Sequence, residues 1–265
     1  MNQNKITGFD FIRAFSVFFV FMAHIITKNS ENQVFVLVIR AISPGITMSL
    51  LGFISGYLLS SKDIVSFNGG FYIKRFSRIY VALFVCLTVV VAMHIILSYN
   101  VICQHSLIHF MGLSFFMELF QVKNNSSIGA GLWFITIINI MYLALPIIVY
   151  IYSHKNKTVH LVFAIVVFLF LNQVMSSATS AWNVIIAFNI GCYAGISSSI
   201  KEIYKRSMVF YVIATFSLFV LSAFATSNVI FYEVRSFLFP LYPVFVAPLL
   251  LKIGNKIKGK LANYN

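Results

Sequence analysis

Arg13 and His24 stand eleven residues apart in the apolar run Phe9-Asp10-Phe11-Ile12-Arg13 to Ala23-His24-Ile25-Ile26. At about 100° per residue, eleven residues return to within about 20° of the same helix face, about 16 Å further along the axis. One helix here carries a fixed cation toward one end and a titratable imidazole toward the other. A guanidinium keeps its charge and seeks an anion or carbonyls. An imidazole can take a proton from a hydroxyl nucleophile near neutral pH and return it. Asp10, three residues before Arg13, lies on the same side and competes as its partner. Ionisable groups in an apolar helix are costly and therefore point to function. The competing reading of His24 is a histidine hydrogen-bonded to a neighbouring helix for packing.

A second group is Lys74-Arg75-Phe76-Ser77-Arg78. Arg75 and Arg78 are three apart, hence neighbours on a helix, and guanidinium forks match phosphate oxygens. Their competing role is to anchor a membrane helix at its cytoplasmic foot. Gly52-Phe53-Ile54-Ser55-Gly56 lets two helices approach closely, with Ser55 and Gly56 as packing or cavity-lining positions. Trp133, after Gly129-Ala130-Gly131, suits an interfacial belt. His105 and His109 have the i, i+4 spacing of a metal pair, but no acidic third ligand accompanies them, and no metal site is expected. The cysteines Cys86, Cys103 and Cys192 are scattered and read as buried thiols. Nothing resembles a phosphate-binding glycine loop or a serine nucleophile elbow.

The elements that must position these residues are membrane helices. Sixty per cent of the 265 residues are hydrophobic and 9% are charged, whereas soluble domains carry about 25% charged residues. The net charge of +13 could indicate nucleic acid, but the basic residues cluster in short loops between apolar runs, which sets topology instead. Spans are expected near Phe9–Thr27, Val34–Ser60, Ile79–Ser98, Leu132–Ser153, Val159–Met175, Ala181–Ser199, Met208–Ala225 and Ile230–Leu251. The second is interrupted by Arg40 and Ser43-Pro44-Gly45. His105–Gln121 is a ninth apolar stretch. If it does not cross, fourteen Lys and Arg fall inside and only Lys28, Arg40, Lys123 and Arg235 outside, with Arg13 intramembrane. If it crosses, seven fall inside and eleven outside. The positive-inside bias favours the first arrangement. The expectation is a single all-α polytopic unit over 1–265: about eight transmembrane helices, one interfacial or re-entrant helix over 105–121, and both termini cytoplasmic.

Four blocks together resemble the acyltransferase-3 family of integral membrane acyltransferases, which includes polysaccharide O-acetylases. They are Asp10-Phe11-Ile12-Arg13 followed by His24, then Ile54-Ser55-Gly56-Tyr57-Leu58-Leu59, then Phe71-Tyr72-Ile73-Lys74-Arg75-Phe76-Ser77-Arg78-Ile79-Tyr80, and Leu132-Trp133-Phe134-Ile135 with Tyr142 and Pro146. The resemblance covers about the first 150 residues. It implies a bacterial inner-membrane enzyme that takes an acetyl or other acyl group from cytoplasmic acyl-CoA and delivers it to a hydroxyl of a surface polysaccharide or its lipid-linked precursor. His24 would be the general base or acyl relay. Arg13 would position the donor, while Lys74, Arg75 and Arg78 hold the CoA phosphates. Membrane lipids would be the remaining partners, with no nucleic acid and no metal. Two departures stand out. Many members carry a glutamate shortly after the Trp-Phe pair, where this chain has Ile138 and Asn139. Members also commonly have about ten helices, where this chain has room for about eight. The rival readings are a transporter or flippase-like protein, which would favour internal repeats and broken helices, and an inactive, shortened copy.

Overall fold

In a computed structural model of the protein the described residues are 7–29, 45–61, 69–97, 103–123, 132–175, 179–197, 206–227 and 234–262, together with Val36, Val38 and Ile42. Among them every regular element is helical. The order is α1 (Thr7–Asn29), α2 (Gly45–Ser60), α3 (Gly69–Ile96), α4 (Cys103–Phe110), α5 (Ser114–Leu119), α6 (Trp133–Tyr152), α7 (Lys157–Val174), α8 (Thr179–Ile196), α9 (Met208–Ser227), α10 (Val234–Leu238), a 3-10 turn (Phe239–Leu241) and α11 (Tyr242–Ala262).

Helices α3, α6, α7 and α9 are long and apolar enough to cross a membrane. At 1.5 Å per residue the shortest covers about 27 Å, close to the hydrocarbon thickness of about 30 Å. Phe84, Phe163, Phe170, Phe216 and Phe224 lie more than half exposed on them. A belt of large exposed apolar side chains on so many helices suits lipid and not water.

The centre of the bundle is the pair α2 and α8. Small residues make it: Gly52 and Gly56 on α2, Gly191 and Gly195 on α8. A Cβ at Gly52 would stand 2.9 Å from the Val184 carbonyl oxygen, and one at Gly195 would stand 2.8 Å from that of Tyr57. Cβ atoms at Gly56 and Gly191 would collide outright with the Phe188 and Phe53 carbonyls. Backbone thus lies against backbone, which two GxxxG spacings permit. Ser60 Oγ closes the pair by donating to the Cys192 carbonyl at 3.0 Å, 132 residues apart. Gly52 against Val184 and Gly56 against Phe188 keep the same offset, so α2 and α8 run in the same direction. Around this pair α6 and α7 pack on α8, and α1 and α11 pack across α2. Phe9 of α1 stacks on Tyr57 of α2 with ring centroids 5.8 Å apart, which sets the start of α1 beside the end of α2.

The parallel direction of α2 and α8 bears on the ninth apolar stretch. The tight Ser153–Asn156 turn and the short α7–α8 connection make α6 parallel to α8, and hence to α2. With α3 running against them, the end of α3 and the start of α6 then lie at the same end of the bundle. The two helices of residues 103–119, of 8 and 6 residues, cover only about 12 and 9 Å. The stretch is a hairpin, bent at Gly112, whose φ is +68°.

Two expected boundaries are corrected. The third helix begins at Gly69, ten residues before Ile79, because Phe71, Tyr72 and Phe76 carry an apolar, ring-stacked surface (Tyr72–Phe76 centroids 6.2 Å) back to the glycine pair. Lys74, Arg75 and Arg78 are therefore inside α3 and not in front of it. The last span is not one helix over Ile230–Leu251. It breaks at the 3-10 turn holding Pro240, which lacks a backbone N–H, and restarts at Tyr242 with Pro243 in the first turn, where proline is tolerated. It then runs on to Ala262. In the second span, α2 is described from Gly45; Arg40, Ser43 and Pro44 lie outside the described residues.

Candidate active site

Arg13 and Arg75 each stand six residues into their helices, about 9 Å along the axis. Arg13 pairs with Asp10 through Nη1–Oδ1 at 2.9 Å. Both side chains are about half exposed, at 49% and 52%, so the pair adds little stability and leaves guanidinium donors uncommitted. Arg75 is half-buried, its guanidinium carbon 5.8 Å from the centroid of the Phe71 ring. The field of Arg75, and after it that of Arg13, reaches the Tyr142 hydroxyl on α6. Two fixed cations from helices far apart in sequence thus lie within electrostatic range of one phenol. Such a place favours a ligand that is anionic or develops negative charge.

Arg78 and Lys74 do not share this inward setting. Both are exposed, and Arg78 lies beside Ser77, Val81, Ala82, Val85 and Cys86 on the outer face of α3. Ser55 is half-buried on α2, Gly56 meets α8, and Trp133 is half-buried at the start of α6. The backbone of His24 belongs to the unbroken helix α1; its side chain lies outside the described residues.

The hairpin of α4 and α5 is fixed by hydrogen bonds to α3 and α6. Tyr80 Oη donates to the Met111 carbonyl at 2.9 Å and accepts from Asn139 Nδ2 at 3.1 Å. Thr136 Oγ1 donates to the Gly112 carbonyl at 2.6 Å and accepts the Phe115 N–H at 3.2 Å. His109, 1% exposed, holds Ser114 Oγ at 2.7 Å, which makes it a strut of the bend. Asn139 occupies the place where many family members carry a glutamate, and its amide holds the hairpin through Tyr80. Glu118 on α5 is half-buried, and this burial pushes its carboxyl up to about 7.

Several buried polar atoms near these helices have no protein partner: Ser16 Oγ one turn beyond Arg13, Ser49 Oγ on α2, Asn139 Oδ1, and Asn183 Oδ1 and Trp182 Nε1 on α8. Buried polar atoms of this kind are normally satisfied by water or by a polar ligand. Sequence reasoning singled out neither Tyr142 nor these groups as site residues. Tyr142 had one signal, its place in the fourth block. Ser16 had another, its position between Arg13 and His24 on the stripe they share.

A family model described as an acyltransferase domain, that of the acyltransferase-3 family, matches residues 6–263. No curated protein and no solved structure matches the chain.

Proposed function

The chain belongs to the acyltransferase-3 family, and from that premise we propose that this multi-pass membrane protein is an O-acetyltransferase of the bacterial inner membrane, taking acetyl groups from cytoplasmic acetyl-CoA. The acceptor is a hydroxyl of a surface polysaccharide or of its lipid-linked precursor. The observation that carries the donor side is that two fixed cations from different helices, Arg75 and Arg13, lie within electrostatic range of Tyr142. Two cations near one leaflet suit a donor whose body is a chain of phosphates. Lys74 extends this positive surface outward.

His24 acts as the base. The acceptor oxygen attacks the thioester carbonyl carbon, the C–S bond breaks, and the hydroxyl proton passes to His24 and from there to the departing thiolate. If acylation instead passes through His24, the same residue is essential. The α1 stripe from Arg13 through Ser16 to His24 joins the donor end to the acceptor end along one helix.

The test is the O-acetyl content of the host's surface polysaccharide, read by proton NMR. A deletion strain is complemented with the wild type, with His24→Ala and with Arg75→Ala. Acetyl signals should return with the wild type, be absent with His24→Ala, and be reduced with Arg75→Ala. Identical spectra in all strains, with equal membrane levels of each protein, would remove the proposed activity toward that polysaccharide.

A further inference from the structure

Helix α7 has 18 residues, all of them at least partly exposed except Asn172. Asn172 is 2% exposed, yet neither its Oδ1 nor its Nδ2 has a hydrogen-bond partner among the described residues. An unpaired buried amide costs stability that an apolar side chain of the same size would not. Trp182 of α8 repeats the pattern: it is 9% exposed, with Nε1 likewise unpartnered among the described residues.

The two residues stand at one level of the bundle. Helix α7 ends at Val174 and α8 starts at Thr179, so Asn172 lies two residues before one end and Trp182 three residues after the next start. The Phe168 ring stacks on the Trp182 indole with centroids 6.2 Å apart. Asn172, four residues after Phe168, stands one turn further on the same face of α7. The hairpin supplies a third wall. Phe115 of α5 meets Trp182 edge-on, with ring centroids 6.2 Å apart. Glu118 follows three residues later on the same side of α5 and is half-buried. An amide with two donors and an acceptor, an indole N–H and a carboxyl are thus brought by three elements around a set of aromatic rings. This place is at the opposite end of the bundle from Arg13: the start of α1 lies beside the end of α2, α2 and α8 run in the same direction, and Trp182 belongs to the start of α8.

We propose that Asn172, Trp182 and Glu118 form a subsite for a sugar ring, with neighbouring hydroxyls of the ring paired to the Asn172 amide, the Trp182 Nε1–H and the Glu118 carboxyl. A sugar offers closely spaced hydroxyls that donate and accept, and apolar C–H faces that suit aromatic walls. Such a ligand satisfies the groups that the protein leaves unpaired, whereas a lipid tail would not. That the sugar is the acceptor rests on the proposed O-acetyl transfer, to which this subsite gives an acceptor end separate from the cations of the donor end.

The experiment uses the full chain labelled with 5-fluorotryptophan. The chain has two tryptophans, Trp133 and Trp182, and Trp133→Phe assigns their fluorine resonances. The probe is the host's surface polysaccharide, de-O-acetylated by mild alkali and cut to oligosaccharides, added without acyl-CoA. The expected result is a saturable shift of the Trp182 resonance. Asn172→Leu, which nearly keeps the shape and removes the amide, should raise the apparent Kd about tenfold with a melting temperature no lower than that of the wild type. In acetyl transfer the same variant should raise KM for the oligosaccharide and leave KM for acetyl-CoA unchanged, a split that a merely structural role would not produce. An unchanged Kd in Asn172→Leu overturns the subsite, because the amide then serves no ligand. Transfer to the oligosaccharide by the wild type with no shift at Trp182 also overturns it and leaves the enzyme reading intact. A shift at Trp182 that is weakened in Asn172→Leu, with no transfer by the wild type, supports the sugar site and removes the enzyme reading. Absence of both shift and transfer overturns the two together.

Discussion

Helices α8 and α3 are both strongly apolar, yet they occupy opposite environments. Helix α8 has 18 residues and is buried without interruption from Ala181 to Asn189. Helix α3 has 28 residues, and only Leu83 and Leu87 are buried on it. Hydropathy does not separate them, because lipid tails are as apolar as a protein core and give no drive for one apolar helix to bury against another. Backbone shape separates them. Glycines let α8 meet α2 closely enough for van der Waals contact along both backbones, while α3 carries Ile, Val and Phe outward and its cations near one end. The central helix is thus specified by what it lacks. The peripheral helix is specified by length and by charge.

The largest effect expected from this contrast comes from breaking the glycine seam. Gly191→Leu places a branched side chain into the Phe53 backbone, which cannot move away without displacing α2. The cost is expected to be about 3 kcal/mol or more, at the upper end of overpacking, and is seen as loss of the monodisperse peak in size-exclusion chromatography with a large fall in melting temperature. Val89→Leu, a size increase at a residue of α3 that is 54% exposed, should leave both unchanged. If the two variants behaved alike, the distinction between seam and periphery would be wrong.

Next in size is the proposed donor region, to which α3 would contribute Arg75 despite its peripheral position. Removing a charge-assisted contact costs about 2 kcal/mol, or roughly thirtyfold in affinity. Arg75→Ala should weaken acetyl-CoA binding to that extent in isothermal titration, and Arg13→Ala by a similar amount. Because both cations act on the region of Tyr142, the double variant should lose less than the sum of the two. Strict additivity would mean that the arginines serve separate ligands.

The hairpin tests the contrast at an intermediate scale, since it is neither seam nor lipid-facing surface. Gly112 has a positive φ, and a Cβ there would stand 3.0 Å from Tyr80 Oη. Gly112→Ala therefore meets both backbone strain and a hydrogen-bonded neighbour, and about 1–2 kcal/mol is expected. Thr136→Val removes the bonds to the Gly112 carbonyl and the Phe115 N–H. Either change should speed amide exchange across residues 106–119 while leaving α8 protected. Unchanged exchange in both would show that apolar contacts alone hold the hairpin.

Much of the fold was legible because charge and hydropathy act over whole segments. The first helix and the close approach at Gly52 and Gly56 follow from composition and small-residue spacing. The break before α11 was harder to see, because Pro240 and Pro243 sit inside the uncharged apolar run Phe237–Leu251. The burial of α8 was not legible from periodicity, since it is apolar on every side. In the site, Arg13 and Lys74 to Arg78 stood out as charges in apolar surroundings. Tyr142 did not, because a tyrosine in a membrane helix has many roles, and only the folded arrangement sets cations from two other helices within electrostatic range of it. Arg75 and Arg78 look equivalent at a spacing of three. Their 60° separation on the helix is enough to leave Arg75 half-buried over Phe71 and Arg78 exposed on the outer face.

The smallest effect concerns Glu118, an acid that neither the seam nor the lipid-facing belt requires. Burial raises its carboxyl from 4.5 to about 7, so the docked hairpin prefers the neutral form. Below about pH 4.5 the group is protonated whether the hairpin is docked or released, and docking carries no penalty from it. Above about pH 7 the group is ionised in both states, and docking carries the full desolvation cost. Docking should therefore strengthen as the pH falls from 7 toward 4.5. Because the side chain is only half-buried, solvent screening limits this to about 1 kcal/mol or less. Amide exchange over 114–119, corrected for intrinsic rates, should be slower at pH 5 than at pH 8 in the wild type. In Glu118→Gln the difference should vanish, with protection at both values close to the wild type at pH 5. A pH dependence that survives in Glu118→Gln would assign it to another group and leave Glu118 a solvated residue at the edge of the hairpin.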